Sequence, residues 1–421
     1  MCGPCFVFCI GCIKLCVSLN AHIMALQNDR NGKEEKEMTV RVRVEGSLLT
    51  WARDRSKLSL EVLSSRFPAL AAWERGEAAP TLKQLENYAH ATHTPIGYLF
   101  LSTPPEESIP IPDYRTIGDT GVTRPSADLL DTLYLCQQRQ DWYRDFALRN
   151  RQDPLPFVGS LNTSVQIIEA AAQMRTVLSF DVSQRGNTWT DALKTLLEEA
   201  DAKGILVMVN GIVGSNTHRK LDPNEFRGFA LVDDLAPVIF INGADTKAAQ
   251  IFTLAHELAH VWLGESAISD TDLTSSTANV VERWCSQVAA EFLVPIDTIR
   301  GVSVDEIVRD GEIERLARRF KVSTLAILRR IYDAGILTWE QYRRVYTEEL
   351  ERVLRMMEER TGIGGGNFYN TQPLRVSKRF ARAIIISTME GETLHRDAFR
   401  MLGFRKVSTF HQLAHRLGVM H

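Results

Sequence analysis

The sequence runs to 421 residues, a length expected to fold as two to four domains. Its hydrophobic fraction, 44%, is ordinary for globular proteins and high enough to bury a sizeable core, and no apolar run of transmembrane length follows residue 26, so no membrane partner is expected. A net charge of −3 gives the whole molecule no preference for nucleic acid or for an acidic surface; any such preference has to be local.

Residues 1–37 differ from the rest. Five of the seven cysteines (Cys2, Cys5, Cys9, Cys12 and Cys16) fall in the first sixteen residues, in an apolar stretch followed by a polar, charged one. A metal-binding tract would need turn formers between the cysteines, and a secretory signal would need a basic start, whereas Lys14 lies in the middle. The segment reads best as sequence upstream of a natural start at Met38 or Met24 and as a non-native or disordered extension. The two remaining cysteines, Cys136 and Cys285, are isolated, which fits a reducing, cytoplasmic setting.

Residues 38–104 are expected to form short helices over Gly46–Ser56, Ser59–Phe67, Ala69–Gly76 and Thr81–Thr92, with Ser59 as an N-cap and Gly76 as a C-cap. Leu58-Ser59-Leu60-Glu61-Val62-Leu63 and Trp73-Glu74-Arg75-Gly76, followed by Pro80-Thr81-Leu82, resemble parts of an XRE-type helix-turn-helix domain. Between Leu63 and Trp73 the chain is about one helical turn shorter than that pattern. Ala69, Leu70, Ala71 and Ala72 replace the polar start of a recognition helix, which is the part that reads base edges. Eight Lys and Arg against six Asp and Glu make a weak basic balance. DNA is therefore a candidate partner with no DNA-binding residue assigned, and a protein-binding helical module is the alternative. Residues 105–154 connect: a Pro-punctuated extended stretch through Ile109-Pro110-Ile111-Pro112, then an amphipathic helix over Leu129–Leu148.

Residues 155–300 carry the chemistry. Helices are expected over Val165–Leu178 and Thr190–Ala200, and strands at Gly204–Val209, Phe229–Val232 and Pro237–Asn242. The last strand leads into a helix over Ala248–Leu263 containing His256-Glu257-Leu258-Ala259-His260. Residues four apart share a helix face, so His256 and His260 can offer two imidazole nitrogens to one ion. Glu257, one step round, can act as the general base on a water, which is the arrangement of zinc peptidases. Ligation by a third residue is needed, and Leu263 stands where one known continuation, which also supplies a third His, has Gly. The next helix, Val281–Pro295, offers Glu282 and Glu291 on opposite edges of its apolar stripe, and periodicity does not choose between them. Glu265, Asp270 and Asp272 are weaker rivals in a short polar loop. A sheet edge beside this helix could pair with an extended substrate, and His218 and Arg219 are candidate oxyanion donors.

The two segments resemble the ImmA/IrrE family of metallopeptidases, in which HExxH is followed by a helix of the form Glu-x-x-Ala-Asn-x-Phe-Ala-Ala ending in Leu-Leu-Met-Pro. The chain has Glu282, then Cys285-Ser286 for Ala-Asn, Val288 for Phe, Ala289-Ala290, and Phe292-Leu293-Val294-Pro295. The resemblance covers roughly residues 155–335. It implies zinc (Zn²⁺) as cofactor, His256, His260 and Glu282 as its ligands, Glu257 as the catalytic base, and a DNA-binding repressor as the protein substrate.

Residues 301–340 hold a second helix-turn-helix-like module, with Ala317 at the tight crossing, Lys321 where such turns favour Gly, and Ser323 as N-cap. Residues 341–421 read as a basic helical C-terminal region. Gly362-Ile363-Gly364-Gly365-Gly366 lacks the strand and Lys of a phosphate cradle. Beyond Asn370 there are nine Lys and Arg against three Asp and Glu, read as a solvated face or a site for an acidic partner. The expected fold is α+β and mostly helical: a helix-turn-helix-like domain, a zincin-like peptidase with a small sheet, and a helical C-terminal region. The expected function is a cytoplasmic, zinc-dependent endopeptidase regulator. The alternative is a DNA-binding transcriptional regulator or antitoxin-like component whose peptidase site is a sensor or scaffold.

Overall fold

The computed structural model describes residues 41–107, 109–114, 125–181, 185–269, 279–301, 311–359 and 375–420. Met38, Asp270, Asp272 and the glycine run 362–366 lie outside them.

Four helices open the described chain: α1 (Gly46–Arg55), α2 (Leu60–Ser64), α3 (Leu70–Glu74) and α4 (Leu82–Ala91). Ser59 caps α2, and Thr81 with Gln84 forms a capping box at α4. α2 and α3 are each five residues long, shorter than the apolar pattern suggests, because Pro68 separates them. α1 crosses α3 at Gly46, where a Cβ would lie 2.0 Å from the carbonyl oxygen of Glu74. Leu48, Leu49, Leu70, Trp73, Leu85 and Tyr88 form a separate small core, and the Tyr88 hydroxyl donates to Leu49 O at 2.7 Å.

The central element is a four-stranded mixed sheet of β1 (Leu206–Asn210), β2 (Gly228–Leu231), β3 (Val238–Asn242) and β4 (Ala267–Ser269), in the order β1-β3-β2-β4. β1 runs parallel to β3; β2 runs antiparallel to both β3 and β4. The pleat sends alternate residues to opposite faces. Val207, Ile239 and Ile241 face a core shared with α6 (Ile167–Val177), α7 (Trp189–Ala202), α8 (Lys247–Leu263) and α9 (Val280–Leu293). Leu206, Met208, Phe229, Phe240 and Ile268 face a second core. That core is built with α5 (Ala127–Arg149) and with α13 (Lys378–Met389), α14 (His395–Leu402) and α15 (Val407–Arg416).

α10 (Glu312–Phe320), α11 (Thr324–Asp333) and α12 (Trp339–Glu359) join the first core, which runs from Phe157 to Tyr346. Lys321 takes the left-handed conformation (φ 56°) that the turn needs, and Ser323 caps α11. The N-terminus of α11 is covered by α12 through a hydrogen bond from Thr324 Oγ1 to Glu349. Three basic side chains at the start of α13 are engaged within the molecule. Lys378 pairs with Glu198 at 2.7 Å, Arg379 donates to Asp201 O at 3.1 Å, and Arg382 donates to Leu417 O at 3.2 Å. Among the described residues no helix is long and apolar enough to cross a membrane.

Candidate metal centre

α8 starts at a Thr246 N-cap and stops at Gly264, whose φ of +78° admits the left-handed turn. Between them every residue from Gln250 to Trp262 is buried, so the helix carries His256, Glu257 and His260 into the interior. α9 packs along it, capped by Asn279, and brings in Glu282 from its first turn.

Four ligand atoms converge. His256 Nε2 lies 3.2 Å from Glu282 Oε2, His260 Nε2 lies 3.0 Å from Glu282 Oε1, and the two imidazole nitrogens are 3.2 Å apart. His256, Glu257 and His260 are 0% exposed and Glu282 1%. Two imidazole nitrogens and a carboxylate turned toward one point leave that point calling for positive charge. A tetrahedral zinc ion with ligands at about 2.0–2.2 Å keeps neighbouring donor atoms about 3.3–3.5 Å apart, close to the spacings seen. The donor set therefore fits zinc.

The surroundings orient the ligands. Ser286 Oγ lies 3.3 Å from His256 Nδ1, which leaves Nε2 to face inward. Ser269 Oγ lies 3.2 Å from His260 Nε2 and 3.4 Å from Glu282 Oε1. Burial pushes the Glu282 carboxyl up, but His256 and His260 outweigh it and hold it down at about 2. Burial lowers the pKa of His260 against the pull of Glu282. Glu257 goes the other way: burial, then the Glu282 charge, raise it well above the usual carboxylate range. Both of its oxygens are buried, and a hydrogen bond from Ser269 partly offsets the rise. A desolvated carboxylate of this kind is a stronger proton acceptor than one in water.

The register makes room for it. Gly228 sits opposite Ser269 on β2, and a Cβ there would lie 2.8 Å from Phe240 O, 2.6 Å from Thr253 Cγ2 and 3.3 Å from Glu257 Oε1.

Residues 200–332 match the family model described as the IrrE N-terminal-like domain. This IrrE-like segment contains the sheet, α8, α9 and all four site residues. Residues 376–416 match a domain of unknown function (DUF8813), which corresponds to the C-terminal helices on the far side of the sheet. No curated protein matches the chain.

The other candidates are placed elsewhere. Glu291 pairs with Arg330 and accepts from Ile296 N at 3.1 Å, so it holds α9 to α11. Glu265 is exposed. Arg219 pairs with Asp128 and Asp131 at 2.6 and 2.7 Å, and His218 is exposed, so the structure does not bring this pair into the site as oxyanion donors. Ser269 and Ser286 were missed by sequence reasoning. Ser286 could have been found, since it stands at the Asn position of the family pattern; Ser269 could not, because β4 is a three-residue strand in a stretch that reads as a polar loop.

Proposed function

We propose that the chain is a cytoplasmic zinc-dependent endopeptidase of the ImmA/IrrE type that cleaves a protein substrate, a DNA-binding repressor, to release gene expression. The observation that carries this reading is the buried convergence of His256, His260 and Glu282 beside Glu257, inside the segment that matches the IrrE-like model. His256, His260 and Glu282 would hold the ion. When bound, it supplies Lewis-acid polarisation of a peptide carbonyl and acidifies a water.

The protein's part is proton handling and orientation. Glu257 takes a proton from the attacking water, which its desolvated carboxylate favours, and passes it to the departing amine. Ser286 fixes the tautomer of His256, and Ser269 donates to the Glu282 carboxylate.

Glu257→Gln should keep one zinc per chain and lose hydrolysis of a native partner by about 10²-fold or more, since an amide cannot accept the proton. Zinc content by elemental analysis, with cleavage followed by mass spectrometry, tests this. Undiminished cleavage by that variant removes Glu257 as the base. A wild-type protein that binds zinc but cleaves no candidate repressor supports the sensor or scaffold role instead.

A further inference from the structure

β4 is the sheet edge that lies against the metal centre. Its last residue, Ser269, contacts His260 and Glu282. On its inner side it pairs with β2 through Ser269↔Gly228 and Ala267↔Ala230. Alternation along a strand then turns the N–H and C=O of Ile268 outward. An extended peptide adding to this edge beside the centre would need those two groups.

Both are already taken. Tyr114 N donates to Ile268 O at 2.9 Å, and Ile268 N donates to Pro112 O at 3.0 Å, which aligns Asp113 with Ile268 in parallel. Ile109 and Ile111 pack against the core that contains Ile268. The occupant belongs to the linker between the N-terminal helices and α5.

We propose that the outer edge of β4 is a binding edge for an extended peptide strand, and that Ile109–Tyr114 is its resident occupant, displaced when a substrate strand enters. The inference rests on the peptidase reading only in calling the incoming strand a substrate. Three features mark the occupant as exchangeable rather than as a fifth strand. Among the described residues the contact is a single bridge. Pro110 and Pro112 have no N–H and cannot extend the pairing. The Ile-Pro-Ile-Pro sequence is already extended, so little ordering separates its bound and released forms.

The test uses the full chain and a fluorescein-labelled hexapeptide of sequence Ile-Pro-Ile-Pro-Asp-Tyr. Tyr114→Pro removes the N–H that bonds Ile268 O; Tyr114→Ala keeps it and controls for the ring. Tyr114→Pro should raise deuterium exchange in a peptic fragment ending at Ser269 about tenfold, and should bind the hexapeptide about tenfold more tightly than wild type, with Tyr114→Ala at the wild-type level. Unchanged exchange, or equal binding by wild type and Tyr114→Pro, overturns the proposal. If Tyr114→Pro does not fold, a chain carrying Asp113→Cys with Ile268→Cys replaces it. Its oxidised form should bind the hexapeptide about tenfold more weakly than its reduced form, and equal binding overturns the proposal. Casein hydrolysis by the zinc-loaded proteins separates the two readings. Exchange and binding as expected with no hydrolysis by any variant leave the strand exchange standing and remove the peptidase.

Discussion

Glu282 and Glu291 lie on one helix and look alike in the sequence; their neighbours give them different roles. Glu282 meets two imidazoles, while Glu291 meets the guanidinium of Arg330 and the amide of Ile296. Glu282→Ala should lower zinc affinity by about 10²-fold or more, because two ligands remain of three. Glu291→Ala should leave zinc content unchanged but cost about 3 kcal/mol, because buried Arg330 loses its closest carboxylate and keeps Val294 O and the more distant Asp333. Zinc titration and urea unfolding of both variants check this, and loss of zinc from Glu291→Ala alone would reverse the assignment. Cys136 offers a separate test at this scale. Burial pushes its thiol up to about 12. The native fold binds this proton more tightly than the unfolded chain does, so its contribution to stability falls as pH rises from the ordinary thiol range toward 12. At pH 8.5 the reactive thiolate is scarce, and iodoacetamide should leave Cys136 unlabelled in the native protein and label it in urea. Labelling in the native state at the urea rate would contradict the burial.

Secondary elements were legible wherever a local signal defined them. Ser59, Thr81, Thr246, Asn279 and Ser323 each accept a backbone N–H at a helix start, and each is a residue type that announces that role. The HExxH spacing was legible for the same reason, since one helix fixes it. Elements defined by contact were not. β4 exists because Ala267–Ser269 pair with β2, and three residues carry no periodicity of their own. Periodicity did not choose between Glu282 and Glu291; the family resemblance pointed to Glu282, and the partner that occupies Glu291, Arg330, is distant in sequence and close in space. Gly228 belongs to this second class: it falls just before the strand expected at Phe229, and only the register shows why it lacks a side chain. Gly228→Ala should destabilise the protein by about 1–3 kcal/mol, because the Phe240 carbonyl and Thr253 both stand inside contact distance of a Cβ. Urea unfolding measures this, and a change below about 0.5 kcal/mol would mean that α8 does not press on β2 there.

Across the whole molecule, the sheet separates the candidate metal centre on one face from α5 and the C-terminal helices on the other. This arrangement rests on long-range contacts, such as Arg139 donating to Met401 O at 2.8 Å, that no local pattern reveals. The N-terminal helices dock on the same body through Lys57–Glu225 at 3.1 Å and Arg55–Asp131 at 4.0 Å. The placement bears on DNA. A reading helix needs polar side chains at a free N-terminal end. α3 buries Leu70 and Trp73 and offers only alanines between them, and the N-terminus of α11 lies against α12. Several basic side chains of the C-terminal region are bonded within the protein. Any contact with DNA is then left to surface charge, which reads no sequence. Any affinity of the chain for its own upstream DNA should lie within about threefold of that for a scrambled duplex. Both affinities should fall steeply between about 50 and 200 mM salt, as counterion release requires. Fluorescence anisotropy on both duplexes, with the full chain and with a form lacking residues 38–104, measures this. A preference above about 100-fold for the native duplex, lost on removing those residues, would show that the N-terminal helices read sequence despite the short α3.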